Sequence, residues 1–223
     1  MIEAKDVAEL LEALQRRISR VQPRGRGRKK DDCERWSAYN TLGALATAGR
    51  LTFPLRLEKS DRPDFTLKSG FSETGIEVTE LVDERLAEAV ARANNEPGPG
   101  ELAYLPESHR AVLQREYYWG SNGSEAQAAW IGALANRIQS KRGHAVKSGF
   151  RLFERNWLVI YDNLLPFSGV MTSGALPRVV SQGFELSPFD TLLVLGSSEL
   201  AVFDGASVEV ISAPVIHGAE GSE

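Results

Sequence analysis

Cysteine is almost absent: Cys33 is the only one in 223 residues. A lone cysteine excludes an internal disulfide and a thiolate zinc cage. No apolar run reaches the roughly 18 residues that cross a bilayer. The opening MIEAKDVAELLEALQRR sets acids among its leucines and has no apolar signal core. His109, His144 and His217 are too scattered for a histidine metal motif. No glycine cluster has Walker or dinucleotide spacing, and no Ser-His-Asp or Cys-His grouping has local support. Lys and Arg vanish from Val179 onward, where seven acids stand alone, so that segment is excluded as the face for a polyanion. The expectation is a soluble chain of a reducing, cytoplasmic compartment with no membrane partner.

Hydrophobic residues at 42% and charged residues at 25% are ordinary globular values. A chain of this length can bury a core without staples. The net charge is −4, yet Arg16 to Lys30 carries eight basic residues and no acid, which leaves the remainder at −12. That stretch reads as a solvated basic linker or as an arm for a phosphate backbone. Three segments follow: an N-terminal amphipathic helix over 1–22, a basic linker over 23–32, and one α/β domain over 33–223. The helix is drawn from residues 3 to 20, where Val7, Leu10, Leu11, Leu14 and Ile18 recur at three- and four-residue steps. Its leucine face suits a partner helix, including that of a second copy in a homodimer.

Beyond the linker, Asp31 and Asp32 cap a helix that ends at Gly49. FPLRLEKS, DFTLKS and GIEVTELV read as strands, the last two as an antiparallel hairpin across SGFSETG. Helices are expected at 83–94, across 109–118 and from Ser124 to about Arg142. WLVIYD has the continuous apolarity of a central strand, and TLLVLGSS, ELAVFDG and SVEVISAP are further strands. The fold class is α/β, with a mixed central β-sheet flanked by helices. The tryptophans fall in apolar patterns and read as core, with Tyr117-Tyr118-Trp119 a base-stacking surface if exposed.

Chemistry concentrates in Pro63-Asp64-Phe65 and Gly75-Ile76-Glu77-Val78-Thr79-Glu80-Leu81. Strand side chains alternate faces, so Glu77 and Thr79 share one and Ile76 and Val78 the other. Pairing Leu67 with Ile76 sets Asp64 opposite Thr79, with Glu77 its diagonal neighbour at a Cβ separation of about 7 Å or less. Two carboxylates so placed repel unless a cation lies between them, and they suit Mg²⁺. A one-residue slip would destroy the arrangement.

With these residues the sequence resembles the PD-(D/E)XK nuclease superfamily over roughly residues 33 to 162. PDFTL…GIEVTEL is also similar to bacterial members reading PDF…IEVT. The resemblance implies a restriction-endonuclease-like core and phosphodiester hydrolysis. It implies a metal, Mg²⁺ or Mn²⁺, on Asp64, Glu77 and the Val78 carbonyl. It further implies a nucleic-acid partner, with DNA favoured over RNA, and an acid on the preceding helix, for which Glu34 fits. The pattern's lysine position holds Thr79, which carries no charge. Some members draw the lysine from a helix. At 100° per residue, with Trp130 at 0°, Leu134, Ile138 and Lys141 fall near about 40°, 80° and 20°. Lys141 therefore continues an apolar stripe, where it either snorkels or meets an anion. Arg137 lies at the stripe's edge, and Lys147 is the alternative lysine. The expected activity is a Mg²⁺-dependent nuclease. The alternative is a catalytically inactive module of the same fold that binds nucleic acid or a protein.

Overall fold

The computed structural model describes residues 1–18, 29–82, 123–147, 149–163, 176 and 185–216. The helices expected at 83–94 and 109–118, the aromatic trio 117–119, and His109 and His217 lie outside these residues, as does most of the basic stretch.

Eight strands form one sheet in sequence order: β1 (Ile2–Ala4), β2 (Leu55–Lys59), β3 (Phe65–Ser69), β4 (Ser72–Leu81), β5 (Arg155–Asp162), β6 (Thr191–Leu195), β7 (Glu199–Phe203) and β8 (Val208–Ser212). β4–β5 and β5–β6 pair parallel, and every other pair is antiparallel. The described helices are α1 (Val7–Arg17), α2 (Lys30–Thr47) and α3 (Gly123–Ala145). The class is α/β with a mixed sheet, as the sequence predicts.

The continuous apolar run of β5 fits its central place, because both of its faces are covered. Val159 joins Phe65, Ile76, Val78 and Leu193 beneath α1 and α2. Leu158 and Ile160 join Leu192 and Val194 against Trp130, Leu134 and Ile138 of α3. α2 is buried on almost every side from Ser37 to Ala46. Small residues let it sit that deep. A Cβ at Gly43 would come within 2.5 Å of Ile216 Cδ1. Asn40 Oδ1 accepts the Ile216 N–H at 2.7 Å, so a buried amide ties the C-terminal segment to α2.

The N-terminus departs from the expected single helix over 3–20. Ile2–Ala4 is a strand on β2, and the helix begins only at Val7. Asp6 is the reason: its side chain accepts the Glu9 N–H at 2.9 Å and caps the helix there. Leu10 and Leu14 are fully buried in the main core against α2. The strand at 2–4 and the helix at 7–17 thus pack into the core of the α/β sheet. This packing removes the basis for a homodimer through the helix's leucine face, since that face is already covered. α2 likewise starts at Lys30, one turn inside the stretch assigned to linker, and Lys29 at its N-cap makes no side-chain cap.

The β3–β4 hairpin corrects the expected register. Phe65 pairs with Ile76 and Leu67 with Thr74, two residues away from the Leu67–Ile76 pairing. The loop is shorter than the turn-rich sequence suggests: Ser69 pairs with Ser72 across Gly70 and Phe71, and Gly70 takes φ +58°. A two-residue loop with positive φ suits the strand twist, and glycine adopts it without strain. A shift of two preserves the alternation of faces, so Asp64 moves from opposite Thr79 to the position next to Glu77.

Candidate functional site

The β3–β4 ladder ends at the Phe65–Ile76 pair, while β4 runs on to Leu81 along β5 alone. Beyond Ile76, the edge of β4 that faced β3 therefore has no strand partner among the described residues. Asp64 enters this fork. Its Oδ2 accepts the Val78 N–H at 2.8 Å, in the position a strand partner would otherwise take. The short β2–β3 connection holds it there: the Ser60 N–H donates to the Asp64 carbonyl at 2.9 Å, and Ser60 Oγ donates to the Pro63 carbonyl. In an extended strand the N–H and C=O of one residue leave by the same edge. The Val78 carbonyl therefore faces the same fork as its N–H.

Glu77 follows the alternation onto the α3 face. Lys141 Nζ donates to Glu77 Oε1 at 2.7 Å, with the two side chains only 15% and 12% exposed. The apolar stripe beneath Lys141 is the cause: Trp130, Leu134 and Ile138 are wholly buried and lay α3 on the sheet. Trp130 Nε1 donates to Asp162 Oδ2 at 2.8 Å and fixes the start of that contact to β5.

Glu34 of α2 supplies a third carboxylate, buried like Asp64. Lys59 Nζ donates to its Oε2. Lys30 Nζ lies 2.8 Å from its Oε1, although not aligned as a hydrogen bond. Lys59 also stands 3.8 Å from Asp64 Oδ1 and 3.5 Å from Asp31, with its ammonium 4.6 Å from the Phe65 ring centre. Three carboxylates and three ammoniums thus line the fork in the order Lys141, Glu77, Asp64, Lys59, Glu34, Lys30, with the carboxylates Glu77 and Asp64 side by side.

Their protonation follows from this order. Burial pushes the Asp64 carboxyl up to about 6. Repulsion from Glu77 adds to the rise, and the Val78 N–H opposes it. Burial also acts to raise Glu34, but the adjacent ammoniums of Lys30 and Lys59 outweigh it and hold that carboxyl below its usual range. The Lys30 ammonium is stabilised in turn by its ion pair with Glu34.

A cavity of about 370 Å³ adjoins these groups, lined among others by Lys30, Cys33, Glu34, Thr79, Arg137 and Lys141. Thr79 and Lys141 therefore border the same space, although one is on a strand and the other on a helix. Lys147 is exposed beyond the end of α3, and His144 is exposed on its last turn. Among the described residues no three His, Cys, Asp or Glu side chains gather as a metal cage. Any metal reading thus rests on the Asp64–Glu77 pair and the Val78 carbonyl.

Lys59 and Lys30 were not among the residues singled out from the sequence. A signal for Lys59 exists: in LRLEK it shares the strand face of Leu55 and Leu57, as Lys141 shares the stripe of Trp130. A lysine in phase with buried leucines points toward an anion. Lys30 was assigned to the basic stretch, whereas its i, i+4 position puts it on Glu34. Comparisons with family models, curated proteins and solved structures returned no match.

Proposed function

We propose that this chain is a metal-dependent nuclease with a restriction-endonuclease-like core, acting on phosphodiester bonds, in DNA before RNA. One observation carries the reading: Asp64 and Glu77 meet at the fork of β3 and β4, with Lys141 2.7 Å from Glu77. A buried and a largely enclosed carboxylate beside a backbone carbonyl form a hard-oxygen donor set, and their mutual repulsion favours a cation. Asp64, Glu77 and the Val78 carbonyl would hold Mg²⁺ or Mn²⁺, which when bound lowers the pKa of water and neutralises phosphate charge. Lys141 takes the place of the lysine absent at Thr79. Its ammonium, held on an otherwise apolar stripe, stabilises negative charge developing on the phosphate. Glu34, fixed by Lys30 and Lys59, orients Lys59 toward Asp64.

The test is cleavage of single- and double-stranded DNA and RNA in Mg²⁺, Mn²⁺ or EDTA by the parent, Asp64→Ala and Glu77→Ala. Metal-dependent cleavage lost in both variants is the expected result. A second reading, an inactive module of the same fold that binds nucleic acid or a protein, is favoured by one feature. Glu34 and Glu77 are already neutralised by lysines, so a metal must compete for them. Binding without cleavage in any metal would select it.

A further inference from the structure

Lys59 borders a second concavity. A cavity of about 330 Å³ lies between the end of α1, the flank of α2 and strands β1 to β3. Arg17, Arg35, Tyr39 and Lys59 line it over a floor that includes Leu57 and Phe65. Arg17 comes from the last turn of α1, Arg35 and Tyr39 from successive turns of α2, and Lys59 from the end of β2. Three cations from three elements converge on one hollow, and none of the described lining residues is an acid, although Asp31 and Glu34 pair with Arg35 and Lys59 behind it.

The two arginines keep donors to spare, whereas Lys59 is already engaged by Glu34, Asp31 and Asp64. Arg17 gives one N–H to the Met1 carbonyl and pairs with no carboxylate among the described residues. Arg35 meets Asp31 through Nη2 at 2.8 Å. A guanidinium carries five N–H donors in a fork that matches phosphate oxygens. Tyr39 is buried and its ring packs near Phe65, with centroids 6.3 Å apart. Burial raises the phenol above its usual range, so at neutral pH it remains a donor. The volume is an order of magnitude above the ~30 Å³ share of one water, so more than a bare ion fits.

Position identifies the anion. Lys59 is 3.8 Å from Asp64 Oδ1, and Phe65 of the floor follows Asp64 in the chain. The hollow therefore opens beside the carboxylate fork. A nucleic-acid strand carries a phosphate at every nucleotide, so a strand engaged at the fork brings a neighbouring phosphate here.

We infer that the hollow formed by Arg17, Arg35, Tyr39 and Lys59 seats a phosphate group of a nucleic-acid strand next to the one at the Asp64–Glu77 fork. The identity of the strand rests on the nuclease reading, but the seat itself rests on the convergent donors. It positions substrate and performs no chemistry.

The experiment measures binding in EDTA, where cleavage is suppressed. The probes are single-stranded DNA oligonucleotides labelled at the 3′ end, carrying either a 5′-phosphate or a 5′-hydroxyl. Arg17→Gln and Arg35→Gln should each weaken binding about 5–10-fold and reduce the salt slope by about one. Tyr39→Phe should weaken it about threefold, in the range of a single lost hydrogen bond. Arg151→Gln removes an exposed charge near Glu73 and should change affinity less than twofold, within about 0.4 kcal/mol. A 5′-phosphate preference that the variants lose identifies a terminal phosphate. Equal losses on both oligonucleotides identify an internal one. Inorganic phosphate should raise the Tm of the parent and of Arg151→Gln but not of the two pocket variants, whose melting also shows them folded. Pocket variants that bind and melt like Arg151→Gln would overturn the inference. Pocket-dependent binding with no cleavage in Mg²⁺ would reject the nuclease and keep the seat. Cleavage with unaltered variant binding would do the reverse.

Discussion

Lys141→Ala tests both the stability and the chemistry of the fork. In the parent, Nζ sits 2.7 Å from Glu77 Oε1 with both side chains nearly enclosed. At an effective dielectric near 20, a pair at that distance attracts by about 6 kcal/mol before desolvation is counted. Removing one partner of a buried pair costs about 3–5 kcal/mol, because the other charge stays buried without compensation. Here Glu77 would keep Asp64, a like charge, beside it, with only the more distant Coulomb attraction of Lys30 to offset it. A loss of about 3 kcal/mol is therefore expected in metal-free protein, read from urea midpoints at constant m. Mg²⁺ should return part of it, since a cation between the carboxylates supplies the missing charge. Activity should fall by about 10²–10³ at saturating Mg²⁺ and substrate, the usual cost of losing one charge-stabilising donor. Thr79→Lys combined with Lys141→Ala should recover part of the rate, because positions 79 and 141 border the same cavity. A single mutant within about twofold of the parent rate, under ~0.5 kcal/mol, would refute the catalytic role and leave Lys141 a structural counter-ion.

Asp64 governs a pH window. Its carboxyl is raised to about 6 in the fold, so the folded state holds a proton that the unfolded chain releases near pH 4. Metal-free parent should therefore lose up to about 3 kcal/mol as pH rises from 4 through 6, and Asp64→Asn should lack that slope in urea titrations. Mg²⁺ should raise the Tm of the parent and leave Asp64→Ala and Glu77→Ala unmoved; equal shifts in all three would exclude a shared site. Replacing Arg20, Arg24, Arg26 and Arg28 by Gln should weaken nucleic-acid binding and lower the salt slope by up to about four, with melting unchanged. An unchanged slope would return the stretch to a solvated linker. Deleting residues 1–30 is a poorer test, because it removes the buried Leu10 and Leu14 and the strand Ile2–Ala4.

Period and residue type were enough to mark out β3, β4, β5 and α3. Alternation over 65–81 and the stripe of Trp130, Leu134 and Ile138 are local signals, written into neighbouring residues by the geometry of strand and helix. From them followed the face taken by Glu77 and the inward turn of Lys141, whereas Asp64 turns into the strand edge, onto the Val78 N–H. Three things were not local. The hairpin register depended on Gly70 taking a positive φ in a two-residue loop instead of a wider turn, and an even shift kept the faces while changing the partner of Asp64. The N-terminal leucines show amphipathicity but not its target, and only the packed core shows that α2 covers them. Lys30 reaches Glu34 by the local i, i+4 step, but Lys59 comes from 25 residues further along the chain, which no local pattern connects to Glu34. A carboxylate desolvated by folding takes whatever cations the tertiary structure brings within reach, because its energy depends on distance in space and not along the chain.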